Sequence, residues 1–235
     1  MAGVFRFKQF EVRQEGSAMR INTDGVLIAA IATQKEPAHI LDIGTGTGVI
    51  ALMLAQRYPE AFVDAVEVDL SAAETARYNF ENSPFELRMN LFPADILHFD
   101  SIFKYDLVVS NPPYFVNDLK NTEPSKSIAR HADEDFFEQM VRKVSTILSE
   151  DGVFWVILPV KQARDFISKA MLYNLFPCRI IHVFSDEDKP EFRQIICLSF
   201  ADVNVKQENF YIYASKSIYT EAYLDLIRDF FLAFK

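Results

Sequence analysis

Short β-rich runs alternating with helical stretches mark this 235-residue chain as an α/β protein built on a mostly parallel sheet with helices on both faces. The β-rich runs are apolar almost throughout, as strands covered on both faces require. Half of the residues are hydrophobic, enough for a large core, and no Gly/Ser-rich or Pro-rich break divides the chain. One domain over residues 1–235 is therefore expected, with residues 1–24 appended as an N-terminal hairpin.

Taken in order, Phe5, Phe7, Phe10 and Val12 precede the turn-like "RQEGS" (13–17), and Met19, Arg20 and Ile21 follow it, which predicts a hairpin packed beside the main sheet. "HILDIG" (39–44), "FVDAVEVD" (62–69), "YDLVVS" (105–110) and "VFWVILP" (153–159) read as strands, with another ahead of "FPADIL". Between them, "GVIALMLAQRY" (48–58), "SAAETARYNFEN" (71–82) and "DFFEQMVRKVSTIL" (135–148) carry apolar residues at helical spacing. Ser71 and Asp135 are the expected N-caps of the second and third. "KQARDFISKAMLYN" predicts a further helix and "EAYLDLIRDFFLAF" a terminal one. "RIIHVF" and "RQIICLSF", separated by the acidic "SDEDKPE", predict an antiparallel pair closing one edge of the sheet. Residues 116–134 read as a long polar loop, placed as a lid or substrate-binding loop would be.

The formal net charge of −9 argues against a protein that coats nucleic acid by bulk attraction, without excluding a local basic surface. Charge is uneven: residues 60–106 hold ten acids and three bases, whereas residues 1–20 hold four bases and two acids. No segment has the apolar length of a membrane span, and "GVFWVILPV" fits a buried strand. Arg6 and Lys8 have no apolar stretch behind them, so no signal peptide is expected and the predicted location is the cytoplasm. Cys178 and Cys197 form no CxxC pair, and His39, His98, His131 and His182 show no i,i+4 spacing. Neither a disulfide framework nor a metal site is expected.

Two stretches carry chemistry. Three of the seven glycines, Gly44, Gly46 and Gly48, fall in "DIGTGTG", between a strand and a helix, where a backbone must approach something closely. A dinucleotide fingerprint would need Gly or Ala at position 49, where Val49 stands. The spacing G-x-G-x-G after an acid, Asp42, more closely resembles the loop that methyltransferases use to hold S-adenosylmethionine. Glu67, 19 residues after Gly48, is placed to accept from both ribose hydroxyls, with Asp69 as a rival, and Asp95 to accept from the adenine amino group. In "VVSNPPYF" (108–115), Pro112 and Pro113 cannot continue a central strand and leave carbonyls without competing partners.

"DIGTGTG", "AVEVD", "PADI" and "SNPPYF", in this order and spacing, resemble class I S-adenosylmethionine-dependent methyltransferases that modify an amino nitrogen. With "FKQFEVRQ…AMRINTDGVLIAA" and "ARHADE" added, residues 5–160 resemble the bacterial tRNA(Val) adenine-N6 methyltransferase family. The resemblance implies a Rossmann-like fold, S-adenosylmethionine as cofactor and tRNA as partner, with the adenine 3′ of the anticodon as target. It implies that Asn111, through its side-chain carbonyl, and the Pro112 carbonyl accept the two N–H bonds of the target amine, and that Tyr114 stacks on the base, with Pro113 completing the motif. Asp42, Gly44, Gly46, Gly48, Glu67, Asp95 and Asn111 are the expected cofactor site. By resemblance Thr23 and Asp24 close that pocket, or they form a turn and helix cap. Lys126, Arg130 and His131 are candidates for phosphate contact or are solvated surface charge. Residues 161–235 offer no clear motif for recognition.

Two rivals remain open. A glutamine amide, as in a release factor, presents the same two donors to Asn111, and a non-catalytic cofactor-binding module could assist RNA assembly.

Overall fold

The structure, a computed structural model, describes residues 3–14, 21–113 and 125–233, without the side chains of 125–135. Strands β1 (Val4–Arg6) and β2 (Glu11–Arg13) form the N-terminal hairpin, pairing Val4 with Arg13 and Arg6 with Glu11. Its turn is residues 7–10, closed by the Phe7 N–H donating to the Phe10 carbonyl at 2.8 Å. The turn of the described hairpin thus precedes the expected "RQEGS", since Arg13 ends β2, and residues 15–20 of the expected turn and returning strand lie outside the described residues. Stacking decides the difference: the buried rings of Phe7 and Phe10 lie 4.5 Å apart, while Lys8 and Gln9 face solvent. The hairpin is held by the far end of the chain, with Lys8 N–H donating to the Phe230 carbonyl at 2.7 Å.

Next come α1 (Thr23–Ile31), β3 (His39–Ile43), α2 (Val49–Arg57), β4 (Phe62–Glu67), α3 (Leu70–Glu81), β5 (Met89–Pro93) and β6 (Tyr105–Ser110). Then follow α4 (Ser125–Ile147), β7 (Leu148–Leu158), α5 (Val160–Met171), β8 (Phe176–Phe184), β9 (Glu191–Ser199) and β10 (Lys206–Tyr211). A small pair, β11 (Tyr213–Ser215) with β12 (Ile218–Tyr219), leads into α6 (Glu221–Ile227). The main sheet has the order β10-β8-β9-β7-β6-β3-β4-β5. Strands β3 to β7 are parallel, and β9 runs antiparallel between β7 and β8.

The antiparallel pair expected from "RIIHVF" and "RQIICLSF" is present, but the edge beyond it belongs to β10, parallel to β8. The sequence of β10, "KQENFY", has no apolar run, because an edge strand is half solvated. Helix α3 begins at Leu70 and is capped by Asp69, whose Oδ1 accepts from Ala72 N–H at 2.8 Å, rather than by Ser71. Helix α4 starts at Ser125, so Asp135 lies inside it and the expected loop 116–134 is helical over its second half. No glycine or proline interrupts residues 125–147, which lets the helix extend over them. Helix α6 stops at Ile227, short of the expected run, because Phe230 and Phe231 leave it to pack beside Arg57 and Phe7.

The sheet has a core on each face. One gathers Leu27, Leu52, Met53 and Ile40 under α1, α2, α3 and α6, and the other gathers Met140, Phe154, Phe166 and Leu41 under α4 and α5. Connections leave β3 toward β4 on one side and return to it through β6 on the other, which opens a crevice at the carboxyl ends of the strands. Among the described residues no helix is long and apolar enough to cross a membrane.

Arg57 locks α1 in place. Its guanidinium donates to the carbonyls of Ala29 (3.1 Å), Ala30 (2.7 Å) and Ala32 (2.9 Å), at the buried carboxyl end of that helix. Arg57→Met should therefore lower unfolding free energy by about 2–3 kcal/mol, since the charged donor leaves buried carbonyls unpaired. Urea denaturation followed by circular dichroism checks this, and an unchanged midpoint would deny the arginine that role.

Candidate active site

Chain reversal after β3 builds the floor of the crevice. Gly44, Gly46 and Gly48 have φ of 72°, 56° and 85°, in the left-handed region that residues with a Cβ avoid. Gly44 N–H and Thr45 N–H both donate to the Val66 carbonyl, at 2.9 and 3.2 Å, which ties the loop to β4. At Gly48 space is also decisive: an added Cβ would sit 2.5 Å from Cε1 of Phe80. Gly44 and Gly46 face open space instead, so they form a wall that a ligand can approach.

Asp42, fully buried on β3, supports the loop from beneath. Its Oδ2 accepts from Thr45 Oγ1 at 2.6 Å and Ala51 N–H at 3.2 Å, whereas Oδ1 has no partner among the described residues. Burial pushes its carboxyl up to about 7, against those two hydrogen bonds and with a smaller push from the Glu67 charge.

Glu67, at the end of β4, bridges two loops. Its Oε2 accepts from Gly46 N–H at 2.8 Å and its Oε1 from Asp69 N–H at 2.9 Å. Each oxygen keeps a further lone pair. Asp95 caps a short turn through Leu97 N–H, at 3.0 Å from Oδ1, and its carboxylate remains partly exposed. At the end of β6, Ser110 Oγ donates to the Ile43 carbonyl at 3.0 Å and Asn111 follows, 8% exposed.

These ends enclose a cleft of about 380 Å³ lined by Gly44, Gly46, Glu67, Asp69, Asp95, Asn111 and Pro113, with Val68, Ile96 and Phe136 as apolar walls. Seven residues named from sequence therefore meet in one place, while Asp42 and Gly48 lie behind it as support. Pro112 is buried beside Asn111. Thr23 is exposed at the start of α1, which Asn22 caps by accepting from Gly25 N–H at 2.8 Å. Asp24 is buried and paired with Arg193 of β9 at 2.8 Å. Neither Thr23 nor Asp24 lines the cleft, but the helix they begin abuts it, since a Cβ on Gly25 would lie 3.8 Å from Asn111 Nδ2. Tyr114 lies outside the described residues, as do the side chains of Lys126, Arg130 and His131. Reading the sequence alone missed the walls Val68, Ile96 and Phe136. Val68, 68% exposed right after Glu67, is the one whose position in the motif could have marked it.

The family described as "Methyltransferase small domain" matches residues 18–176, about two thirds of the chain. The chain belongs to this methyltransferase family. A Pedobacter heparinus relative of this methyltransferase, named tRNA1(Val) (adenine(37)-N6)-methyltransferase, is 56% identical over 234 residues, spanning 100% of both chains. A relative of the same name from Flavobacterium psychrophilum is 37% identical over 232 residues, 97% of this chain and 99% of its own. Among solved structures, a predicted O-methyltransferase from Agrobacterium tumefaciens superposes with a TM-score of 0.69 at 19% identity, covering 87% of this chain and 95% of its own, which shows the shared fold.

Two outcomes follow for the methyltransferase loop. Gly48→Ala should cost about 1–3 kcal/mol of stability, from a left-handed alanine and displacement of Phe80. A chemical-denaturation midpoint equal to the parent's would refute the close approach. Asp42 ionises near 4 when unfolded but keeps its proton to about 7 when folded. Between those values the folded chain binds the extra proton, so stability falls as pH rises and levels off above 7. Asp42→Asn cannot ionise, so its stability relative to the parent should improve across that window. Parallel pH profiles for the two proteins would contradict a protonated Asp42.

Proposed function

We propose that this methyltransferase transfers a methyl group from S-adenosylmethionine to N6 of an adenine in tRNA, namely adenine 37 of tRNA1(Val). The observation that carries the reading is Asn111, held nearly buried at the mouth of the glycine-floored cleft with the Pro112 backbone beside it. The full-length similarity to relatives bearing that name supports the choice of substrate.

The cleft suits a cationic nucleoside. It sets the carboxylates of Glu67, Asp69 and Asp95 around an open glycine wall and apolar Val68, Ile96 and Phe136. When bound, S-adenosylmethionine supplies an electrophilic methyl on a positive sulfur. Glu67 accepts from the ribose hydroxyls through its remaining lone pairs, and Asp95 accepts from the adenine amino group. Asp69, the rival for that role, also lines the cleft while its Oδ1 caps α3. The Asn111 side-chain carbonyl and the Pro112 carbonyl accept the two N–H bonds of the target amine, so its lone pair points into the cleft. Catalysis is then alignment for in-line displacement, with no protein nucleophile. Tyr114 stacks on the extruded base, worth about 1–3 kcal/mol as base–aromatic contacts are. Lys126, Arg130 and His131 are assigned to the RNA backbone.

Asn111→Ala should lose about 10²–10³ in single-turnover methylation of tRNA while still binding the cofactor, because one aligned acceptor is removed. Asn111→Asp, which keeps an acceptor oxygen, should retain more activity. The assay uses labelled cofactor with tRNA, and with a release factor in parallel. Parent-level rates in Asn111→Ala would refute the mechanism, and label on the protein in place of tRNA would refute the substrate.

A further inference from the structure

The two cysteines of the chain, 19 residues apart in sequence, meet across the β8–β9 ladder. Cys178 is the extra residue of a β-bulge: Pro177 opposes Leu198 and Arg179 opposes Cys197, with the register shift between them. In such a bulge two residues of one strand face a single residue of the other. Cys178 Sγ donates to the Cys197 carbonyl at 3.4 Å, which sets the two residues side by side. The bulge sets Cys178 together with Arg179 opposite Cys197, so that the Cys178 sulfur reaches the Cys197 backbone, and a disulfide tolerates Cα separations over the broad range of about 4.4–6.8 Å.

The two thiols differ in character. Cys178 is half-buried and so reachable, and the hydrogen bond from Cys197 holds it below the ordinary thiol value, at about 7, against its burial. Cys197 is buried, and the Cys178 thiol together with burial pushes it up. Arg179 opposes Cys197 from one side, with its guanidinium paired to Glu208, while Trp155 opposes it from the other. The guanidinium carbon lies 5.7 Å from the Trp155 ring centroid, which places arginine, cysteine and indole on one face of the sheet.

We infer that Cys178 and Cys197 form a peroxide-reactive dithiol that closes to an intramolecular disulfide, with Cys178 as the attacking thiol and Cys197 as the resolving one. The Cys178 thiolate attacks one oxygen of hydrogen peroxide, the O–O bond breaks and hydroxide leaves, giving a sulfenic acid. Cys197 sulfur then attacks that sulfur, the S–O bond breaks, and the departing hydroxide takes the Cys197 proton as water. Two thiols lose two electrons in all and the peroxide gains them. The site stands apart from the methyltransferase cleft and does not depend on its substrate.

The test uses the full chain with hydrogen peroxide, followed by alkylation of free thiols under denaturing conditions and intact mass. The parent should lose the mass of two hydrogen atoms, accept no alkylating group, and yield one peptide pair linking residues 178 and 197. Trp155, the single tryptophan, reports without any variant. Its emission should fall on oxidation, because a neighbouring disulfide accepts an electron from the excited indole, and should return with dithiothreitol. Cys178→Ser should abolish both signals, and Cys197→Ser should leave a sulfenic acid that dimedone traps. Two alkylatable thiols in the peroxide-treated parent, a link between chains, or sulfinic acid without a cross-link would overturn the inference.

Discussion

The Glu67 carboxylate joins the two halves of the cleft. One oxygen receives the Gly46 N–H of the β3 loop and the other the Asp69 N–H at the head of α3. Both donors are backbone groups at places where the chain turns, so neither has a secondary-structure partner to fall back on. One carboxylate therefore satisfies two backbone donors and sets the spacing between the glycine wall and the neighbouring helix. The shape of the crevice depends on it before any ligand arrives.

Around that bridge the supports are layered by distance from the cleft. Asp42 holds the loop from below through Thr45 and Ala51, and the burial that makes it a poor carboxylate also keeps solvent from the loop. On the opposite side, Asn22 caps α1, Asp24 anchors it to Arg193, and Gly25 lets it approach Asn111. Arg57 fastens the other end of the same helix. An element with no cleft-lining residue is thus secured at both ends, as expected of a support whose position bears on Asn111.

Electrostatics separates two tasks. The acid-rich stretch 60–106 places Glu67, Asp69 and Asp95 at the cleft, where negative potential favours a cation and opposes phosphate. Contacts to an RNA backbone must then come from other surfaces. The hairpin carries exposed Arg6 and Lys8 at the basic end of the chain, although Arg6 is paired with Glu11.

Much of the site was legible along the chain because its parts are local. A glycine loop after an apolar strand, an acid closing the next strand and Asn-Pro-Pro closing another are each written in a few consecutive residues. The strand runs of the central sheet were legible for the same reason, since burial on both faces demands uninterrupted apolar sequence. Tertiary structure alone decided what depends on register and packing. The hairpin turn moved to residues 7–10 because two phenylalanines stack there, and β10 finds its place beside β8 although "KQENFY" has no strand-like pattern. Asp24 meets Arg193 across 169 positions, and Cys178 meets Cys197 through a one-residue bulge. Periodicity reports which face of an element is buried, but not which residue of another element lies opposite, and that is set only when strands choose their register and helices their seats.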